Sequence, residues 1–508
     1  MVDVHWADIA ASKIIKEKGD KKQYVCASGI TPSGIVHIGN FREVITSALV
    51  AQALRDKGKK VKFIYSWDDF DRFRKVPAGI PEEFNRYIGM PLNLVPDPYK
   101  CHKSWAEHFE KEFEESIKVF DFDIKFIRQS EMYSKCKYSH DMKWALNHKE
   151  DIRKIMNKYR REPLAEDWFP LIIYCEKCKR DTTRVLDYDG EYGISYECSC
   201  GYSNKFNFNE KGIAKLSWRV DWPMRWNYEN VDFEPGGKDH SAAGGSFDTG
   251  KQIIKEVWNR DAPNYLLYEF IGIKGGGQFS SSEGVITTVN DVLEVYEPEV
   301  LKWLFAGTRA NVEFNISFDL DVIKYYEDFD FSERVYYGKE DLTNKKEVLQ
   351  QKRIYELSSI KLEKKMPEQI GFRHLTTLVQ INEGNINKTV KDKRSKVRAQ
   401  CALNWLEKYA PEDMKFKVHD KVSKEIKSLL NGKQKKALKI LAKKLDNKYD
   451  AEGLFGEFYN ICNEIGIKNT DFFKAAYLVL IGKERGPKLA PFVLSLGKSR
   501  VKELLEQV

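Results

Sequence analysis

A chain of 508 residues, 42% apolar and 31% charged, is long enough for several domains and too evenly mixed for a disordered or fibrous protein. No run approaches the ~20 apolar residues of a membrane helix, and Met1-Val-Asp-Val-His-Trp6 lacks the apolar segment of a secretory leader, so no membrane partner and a cytoplasmic location are expected. The net charge of +8 is unevenly spread: residues 331–508 carry 37 Lys and Arg against 23 Asp and Glu, a net +14 that leaves −6 for residues 1–330, a pattern suited to a polyanionic partner or to a lysine-rich solvated surface.

In chain order, the first strong signal is an apolar run, Tyr24 to Ala27, followed by a turn and then by Phe41, Val44, Ile45, Ala48 and Leu49 on one helix face. Gly29 and Gly34 let the backbone pass close to a ligand. Ser33, His37 and Asn40 cluster at the helix start, where free N–H groups and the dipole favour a phosphate, so strand, turn and helix read as a nucleotide cradle. A second strand, Val61 to Trp67, ends in Asp68, Asp69 and Asp71. This βαβ unit predicts a parallel sheet with its ligand beyond the carboxyl ends of the strands.

From about Pro77 to Lys215 the periodicity is irregular, apart from a helix around Trp105 to Phe120, and the stretch reads as an insertion into the sheet domain. It holds Cys175-x-x-Cys178 and Cys198-x-Cys200, two close thiol pairs joined by hairpin-like sequence, which match a closed structural zinc ribbon; reduced, unliganded cysteines are the alternative. Asp97, Cys101, His102 and His108 lie on one loop and one helix face and form a second metal-ligand cluster by spacing. The sheet pattern resumes at Val231 to His240, with a helix from about Ser246 to Asn259 and a β stretch from Tyr265 to Ile273. Gly245 to Lys251 has P-loop spacing, but Gln252 replaces the Ser or Thr and no buried strand precedes it, which argues against a P-loop ATPase. Beyond a glycine-rich loop ending at Gly284, and from roughly Asp291 onward, the period is helical to the end.

His37-Ile38-Gly39-Asn40 after Pro32-Ser33-Gly34, Gly237-Lys-Asp-His240, and Gln278-Phe-Ser-Ser-Ser-Glu-Gly284 follow one another in the order of the signatures of a known family. With Trp67 to Pro77, Val220 to Trp226 and Gly482 to Ala490, the chain resembles, over nearly its whole length, the class I aminoacyl-tRNA synthetases in their lysyl form. The resemblance implies an α/β protein: a Rossmann-type parallel-sheet catalytic domain with a zinc-containing insertion, followed by an all-α C-terminal anticodon-binding region. The segments expected are 1–76 and 216–290 for the two catalytic halves, 77–215 for the insertion, 291–345 for a helical stem-contact region and 346–508 for the anticodon-binding domain. It also implies ATP-dependent attachment of lysine to tRNA(Lys) through a lysyl-adenylate, with ATP as substrate, Mg²⁺, and Zn²⁺ as a structural metal at both cysteine-containing clusters.

By the same resemblance His37 and Asn40 contact the triphosphate with Pro32, Ser33, Gly34 and Gly39, and Asp239 takes the ribose. Ser280, Ser281 and Ser282 close over the phosphates. The two lysines of the family's loop are replaced by Gln278 and Ser281, and Lys274 is the nearest substitute. A buried lysine ammonium needs a carboxylate or several acceptors. Asp68, Asp69 and Glu269 are the candidates, with Trp218 and Tyr268 covering the stem or the cation, His240 facing the substrate, and Gly29 and Thr31 holding the amino-acid backbone groups. Two other readings stay open: a tRNA-binding paralogue weakened by the missing lysines, and a class I enzyme for another amino acid. The acidic pocket argues against glutamate. The oligomeric state is not legible from the sequence.

Overall fold

Tyr24–Ile30 forms β1, the middle strand of a five-stranded sheet, in the computed structural model of this protein, which describes residues 3–275, 277–278 and 286–508. Val61–Trp67 is β2, Ile124–Arg128 β3, Phe233–Gly237 β4 and Asn264–Tyr268 β5, and the spatial order is β5-β4-β1-β2-β3. Every pairing is parallel, with Gly29 opposite Ser66 and Phe233 opposite Cys26. The chain lays down β1, β2 and β3 outward in one direction and returns to the other side of β1 for β4 and β5. Such a reversal separates the connections at the carboxyl ends and opens a crevice there.

β1 and β2 read as largely apolar runs because helices cover both faces of the sheet. Helix Ile38–Asp56 packs Phe41, Val44, Ile45, Ala48 and Leu49 inward, the five positions the sequence pattern placed on one face. Val25, Ala27, Ile64 and Ile127 form one cluster with Trp222 and Trp226 of helix Trp218–Glu229 and Ile254 of helix Ser246–Trp258. Each such side chain contributes about 1.5–3 kcal/mol when fully buried, so the wall beneath the crevice is rigid.

β3 falls within residues 77–215, the stretch read from the sequence as an insertion. At five residues, with Lys125 and Arg128 inside it, it lacks the continuous apolar run of β1 and β2. The rest of that stretch leaves the sheet through Leu171–Ile173 and returns through Ala214–Leu216, two short strands that pair antiparallel. Between them Thr183–Tyr188, Gly193–Cys198 and Ser203–Asn207 form a three-stranded antiparallel ribbon, with Cys175 and Cys178 on the segment leading into it and Cys198 and Cys200 at its second turn.

Met1–Val292, Pro298–Ile316 and Ser332–Leu362 make one compact unit, and Leu293–Glu297, Ser317–Phe331 and Glu363–Val508 a second. The second unit is helical in its described residues, with Phe372–Ile381, Lys393–Lys408, Gly432–Lys444, Ala451–Ile465, Asn469–Ile481, Leu489–Leu496 and Lys498–Glu506 as its longer helices. Leu438, Leu441, Phe458, Phe472, Val479 and Val493 meet in its core. Asn431 and Gln434 close a capping box that starts helix Gly432–Lys444. Among the described residues no helix is long and apolar enough to cross a membrane.

Candidate active site

A cavity of about 1050 Å³ opens at the carboxyl ends of β1, β4 and β5, as the strand order requires. Gly29, Thr31, Ser33, Gly34, His37, Gly39 and Asn40 line one part of it, and Trp218, Asp239, His240 and Tyr268 another. Backbone approach is close. A side chain at Gly29 would put its Cβ 2.6 Å from the Ser66 carbonyl, and one at Gly237 would lie 2.6 Å from Asp239 Oδ1.

His37 is the N-cap of helix Ile38–Asp56, in extended conformation, and its N–H donates to Asn40 Oδ1 at 3.2 Å. The Ile38 N–H donates to the Thr287 carbonyl at 2.9 Å, and His37 bridges Thr288, so the helix start is tied to the segment that follows the glycine-rich loop. Burial lowers the His37 pKa, which leaves a neutral imidazole beside the helix N-terminus. A neutral donor and a helix dipole suit an anion such as a triphosphate.

Asp239 and His240 lie in the short turn Lys238–His240 directly after β4, with His240 Nε2 3.7 Å from Asp239 Oδ2. The His240 ring is 6.3 Å from Trp218 and 5.9 Å from Trp222, centre to centre. Lys238 pairs with Glu269 at 3.2 Å. Lys274 sits on the turn after strand Ile271–Ile273, its N–H donating to the Ile316 carbonyl at 2.9 Å. Gln278 pairs its backbone with Gly272. Ser280, Ser281 and Ser282 lie outside the described residues. Pro32 accepts a hydrogen bond from Trp105 Nε1 at 3.1 Å through its carbonyl.

The structure gives the acids different surroundings. Asp68 lines the cavity but is clamped by Arg225, at 2.6 Å and 3.4 Å. Asp69 accepts from the Ser130 N–H at 2.7 Å and from the Ser130 hydroxyl. Glu43, which sequence reasoning missed, projects from helix Ile38–Asp56 into the cavity: Oε1 accepts from the Gly29 N–H at 2.7 Å and Oε2 from the Tyr268 hydroxyl at 2.9 Å. Burial pushes its carboxyl up to about 8. The one signal for it in the sequence is that it is the single acid in the first half of the helix, among the core positions Phe41, Val44, Ile45, Ala48 and Leu49. Also missed were Arg72, Arg74 and Lys75, exposed cations on the cavity wall. Pro77, two residues beyond Lys75, lies 4.0 Å from where a Gly34 Cβ would stand.

The two metal-ligand clusters assemble as the spacing suggested. Ligand atoms of Cys175, Cys178, Cys198 and Cys200 all lie within 4.8 Å of one another, as do those of Asp97, Cys101, His102 and His108. The Cys175–Cys200 and Cys178–Cys198 sulfur separations are 3.7 and 3.6 Å, too long for a disulfide and equal to the edge of a tetrahedron built on ~2.3 Å zinc–sulfur bonds. Cys101 Sγ is 3.2 Å from Nδ1 of both His102 and His108 and 3.3 Å from Asp97 Oδ2, edges suited to the shorter bonds of a mixed donor set.

Residues 4–361 match the family described as tRNA synthetases class I (K), and residues 406–508 match an anticodon binding domain. The chain is 46% identical over 520 residues to a lysine--tRNA ligase of Borreliella burgdorferi, covering 99% of each. It is 42% identical over 528 residues to one from Pyrococcus horikoshii, covering 98% of each. A third, from Treponema pallidum, is 42% identical over 521 residues, covering 99% of this chain and 98% of that one.

Proposed function

The chain belongs to the class I tRNA synthetases of the lysine type, and on that premise we propose that it activates lysine with ATP and transfers it to tRNA(Lys). The observation that carries the choice of amino acid is Glu43, a cavity carboxylate held between the Gly29 N–H and the Tyr268 hydroxyl. A lysine ε-ammonium taken out of water needs such an acceptor, and Glu43 lines the cavity with an N–H and a hydroxyl as its partners, whereas Asp68 is already clamped by Arg225 and Asp69 is not part of the cavity lining. Trp218 covers the aliphatic stem, Gly29 and Thr31 hold the amino-acid backbone groups, and His240 faces the substrate.

ATP enters as its Mg²⁺ complex. His37, Asn40, Ser33 and the helix N-terminus take the phosphates, with Gly34 and Gly39 allowing close approach, and Asp239 takes the ribose hydroxyls. Attack of the lysine carboxylate on the α-phosphate forms lysyl-adenylate and releases pyrophosphate; the tRNA terminal hydroxyl then displaces AMP. The protein's contribution is positioning and charge stabilisation. Arg74 and Lys75 supply positive charge on the cavity wall, and Lys274 stands on the turn after strand Ile271–Ile273, ahead of the loop that itself carries Gln278 and Ser281.

Both metal clusters suit zinc. Four thiolates, or an aspartate, a thiolate and two imidazoles, fill a tetrahedron and leave no open position, so each metal would hold structure only. The basic C-terminal region, with its anticodon-binding match, is the tRNA partner surface, and a cytoplasmic location accords with that role.

Lysine-dependent pyrophosphate exchange, run with each of the twenty amino acids and followed by tRNA charging, tests the reading. Exchange with lysine and charging of tRNA(Lys) are expected. Salt-sensitive tRNA binding without any exchange would identify an inactive paralogue instead.

A further inference from the structure

We propose that Lys215 is a positioning residue for the amino-acid substrate: through Asp71 it fixes the Thr31 hydroxyl as a hydrogen-bond acceptor for the substrate's α-ammonium group. The inference rests on reading the cavity as a lysine site and adds a residue set behind the cavity wall.

Lys215 lies in strand Ala214–Leu216, at the exit of the cysteine ribbon, with a side chain 1% exposed. Its ammonium bonds Asp71 Oδ1 and stands 3.7 Å from Asp221 Oδ2. Asp221 also meets Arg225 at 3.2 Å and accepts from the Tyr133 hydroxyl, and Arg225 in turn clamps Asp68. Two cations thus face three carboxylates, and the excess negative charge lies where Asp68 and Asp71 line the cavity.

Chemistry fixes the direction of each bond. An ammonium only donates, so Asp71 Oδ1 accepts from Lys215, and the cation favours the ionised carboxylate. An ionised carboxylate only accepts. The Thr31 Oγ1 to Asp71 Oδ2 contact, at 3.3 Å, therefore uses the single hydroxyl hydrogen of Thr31. What Thr31 then offers the cavity is lone pairs, which suit an ammonium and not a carboxylate. Stability does not account for the arrangement, because replacing a buried ion pair by apolar side chains of similar volume is often neutral or stabilising.

Calorimetry on the full chain, with lysine and with 6-aminohexanoate as probes, tests the relay; the second probe is lysine without its α-amino group. Lys215→Met should weaken lysine by about tenfold or more while 6-aminohexanoate changes by less than about twofold. Lys215→Arg, which keeps the cation, should recover most of the lysine affinity. Because Lys215→Met leaves a buried negative charge and could unfold the chain, Lys215→Met with Asp71→Leu is the companion variant. It should melt near the wild type and still bind lysine weakly. Wild-type lysine affinity in that double variant, or equal loss of both probes in Lys215→Met, would overturn the relay. A wild-type chain that binds no lysine would instead overturn the reading of the cavity.

Discussion

The Glu43 carboxyl, pushed up to about 8 by burial, makes lysine recognition sensitive to proton concentration. In the empty cavity it is largely protonated at neutral pH, and a lysine ammonium beside it favours the ionised form. Binding then releases a proton, so affinity should weaken as pH falls below about 8, by up to about tenfold per unit. Glu43→Gln should abolish that dependence in calorimetric titrations. It should also weaken lysine by roughly a hundredfold to several thousandfold, from the about 3–5 kcal/mol lost when one partner of a buried pair is removed, while leaving ATP binding intact. A Gln variant with unchanged lysine affinity would remove Glu43 from the substrate site. His37→Ala should lower pyrophosphate exchange by about two orders of magnitude or more without lowering the melting temperature, since the helix start keeps its Thr287 and Asn40 bonds. Arg74→Ala should reduce turnover with ATP and spare lysine affinity; equal activity would mean that other groups carry the phosphate charge. His37 was legible because Pro32, Ser33, Gly34 and Gly39 punctuate a strand-to-helix turn. Glu43 was not, since what aims it at Gly29 and Tyr268 is the packing of its helix across the sheet. Asp68 and Asp69 were legible as acids at a strand end, but their partners Arg225 and Ser130 come from distant parts of the chain.

At the scale of elements, the cysteine ribbon was readable from spacing alone because thiolate pairs have few roles in a reduced setting. β3 was hidden by its length and charges, since its place is set by pairing with β2 and not by its own pattern. The two ligand clusters sit in different elements, which makes them separable. Mass-spectrometric metal analysis of the purified chain should find two zinc ions, falling to one in Cys198→Ser and to one in Cys101→Ser. Cys198→Ser should also lower the melting temperature, because the four ligands tie the Cys198–Cys200 turn of the ribbon to the Cys175–Cys178 segment that leads into it. Full stability and unchanged metal content in both variants would refute metal binding at these clusters.

At the scale of the whole molecule, the sequence pattern predicted a parallel sheet followed by a helical end, and both are present. Short segments, 293–297 and 317–331, join the C-terminal unit through tertiary packing, which no local pattern in the sequence announces. The basic balance of that end takes shape on helix Gly432–Lys444, where Lys433, Lys436, Lys439 and Lys443 are exposed on one face. Reversing Lys436 and Lys439 to Glu should weaken tRNA binding and flatten its dependence on salt by about 0.7–0.9 for each phosphate no longer neutralised, while lysyl-adenylate formation continues. An unaltered salt slope would place the tRNA elsewhere. The strand order carries a last consequence, for synthesis. β1 gains its β2 neighbour early, but its other edge is filled only by β4, which leaves the ribosome roughly a hundred residues after β3. At ~5–20 residues per second that edge stays open for on the order of 5–20 s. An unpaired central strand invites mispairing with neighbouring chains. Nascent chains arrested before Phe233 should therefore be cut by protease within β1, and chains arrested well beyond Tyr268 should be protected; equal cleavage would show that the half-sheet closes by other means.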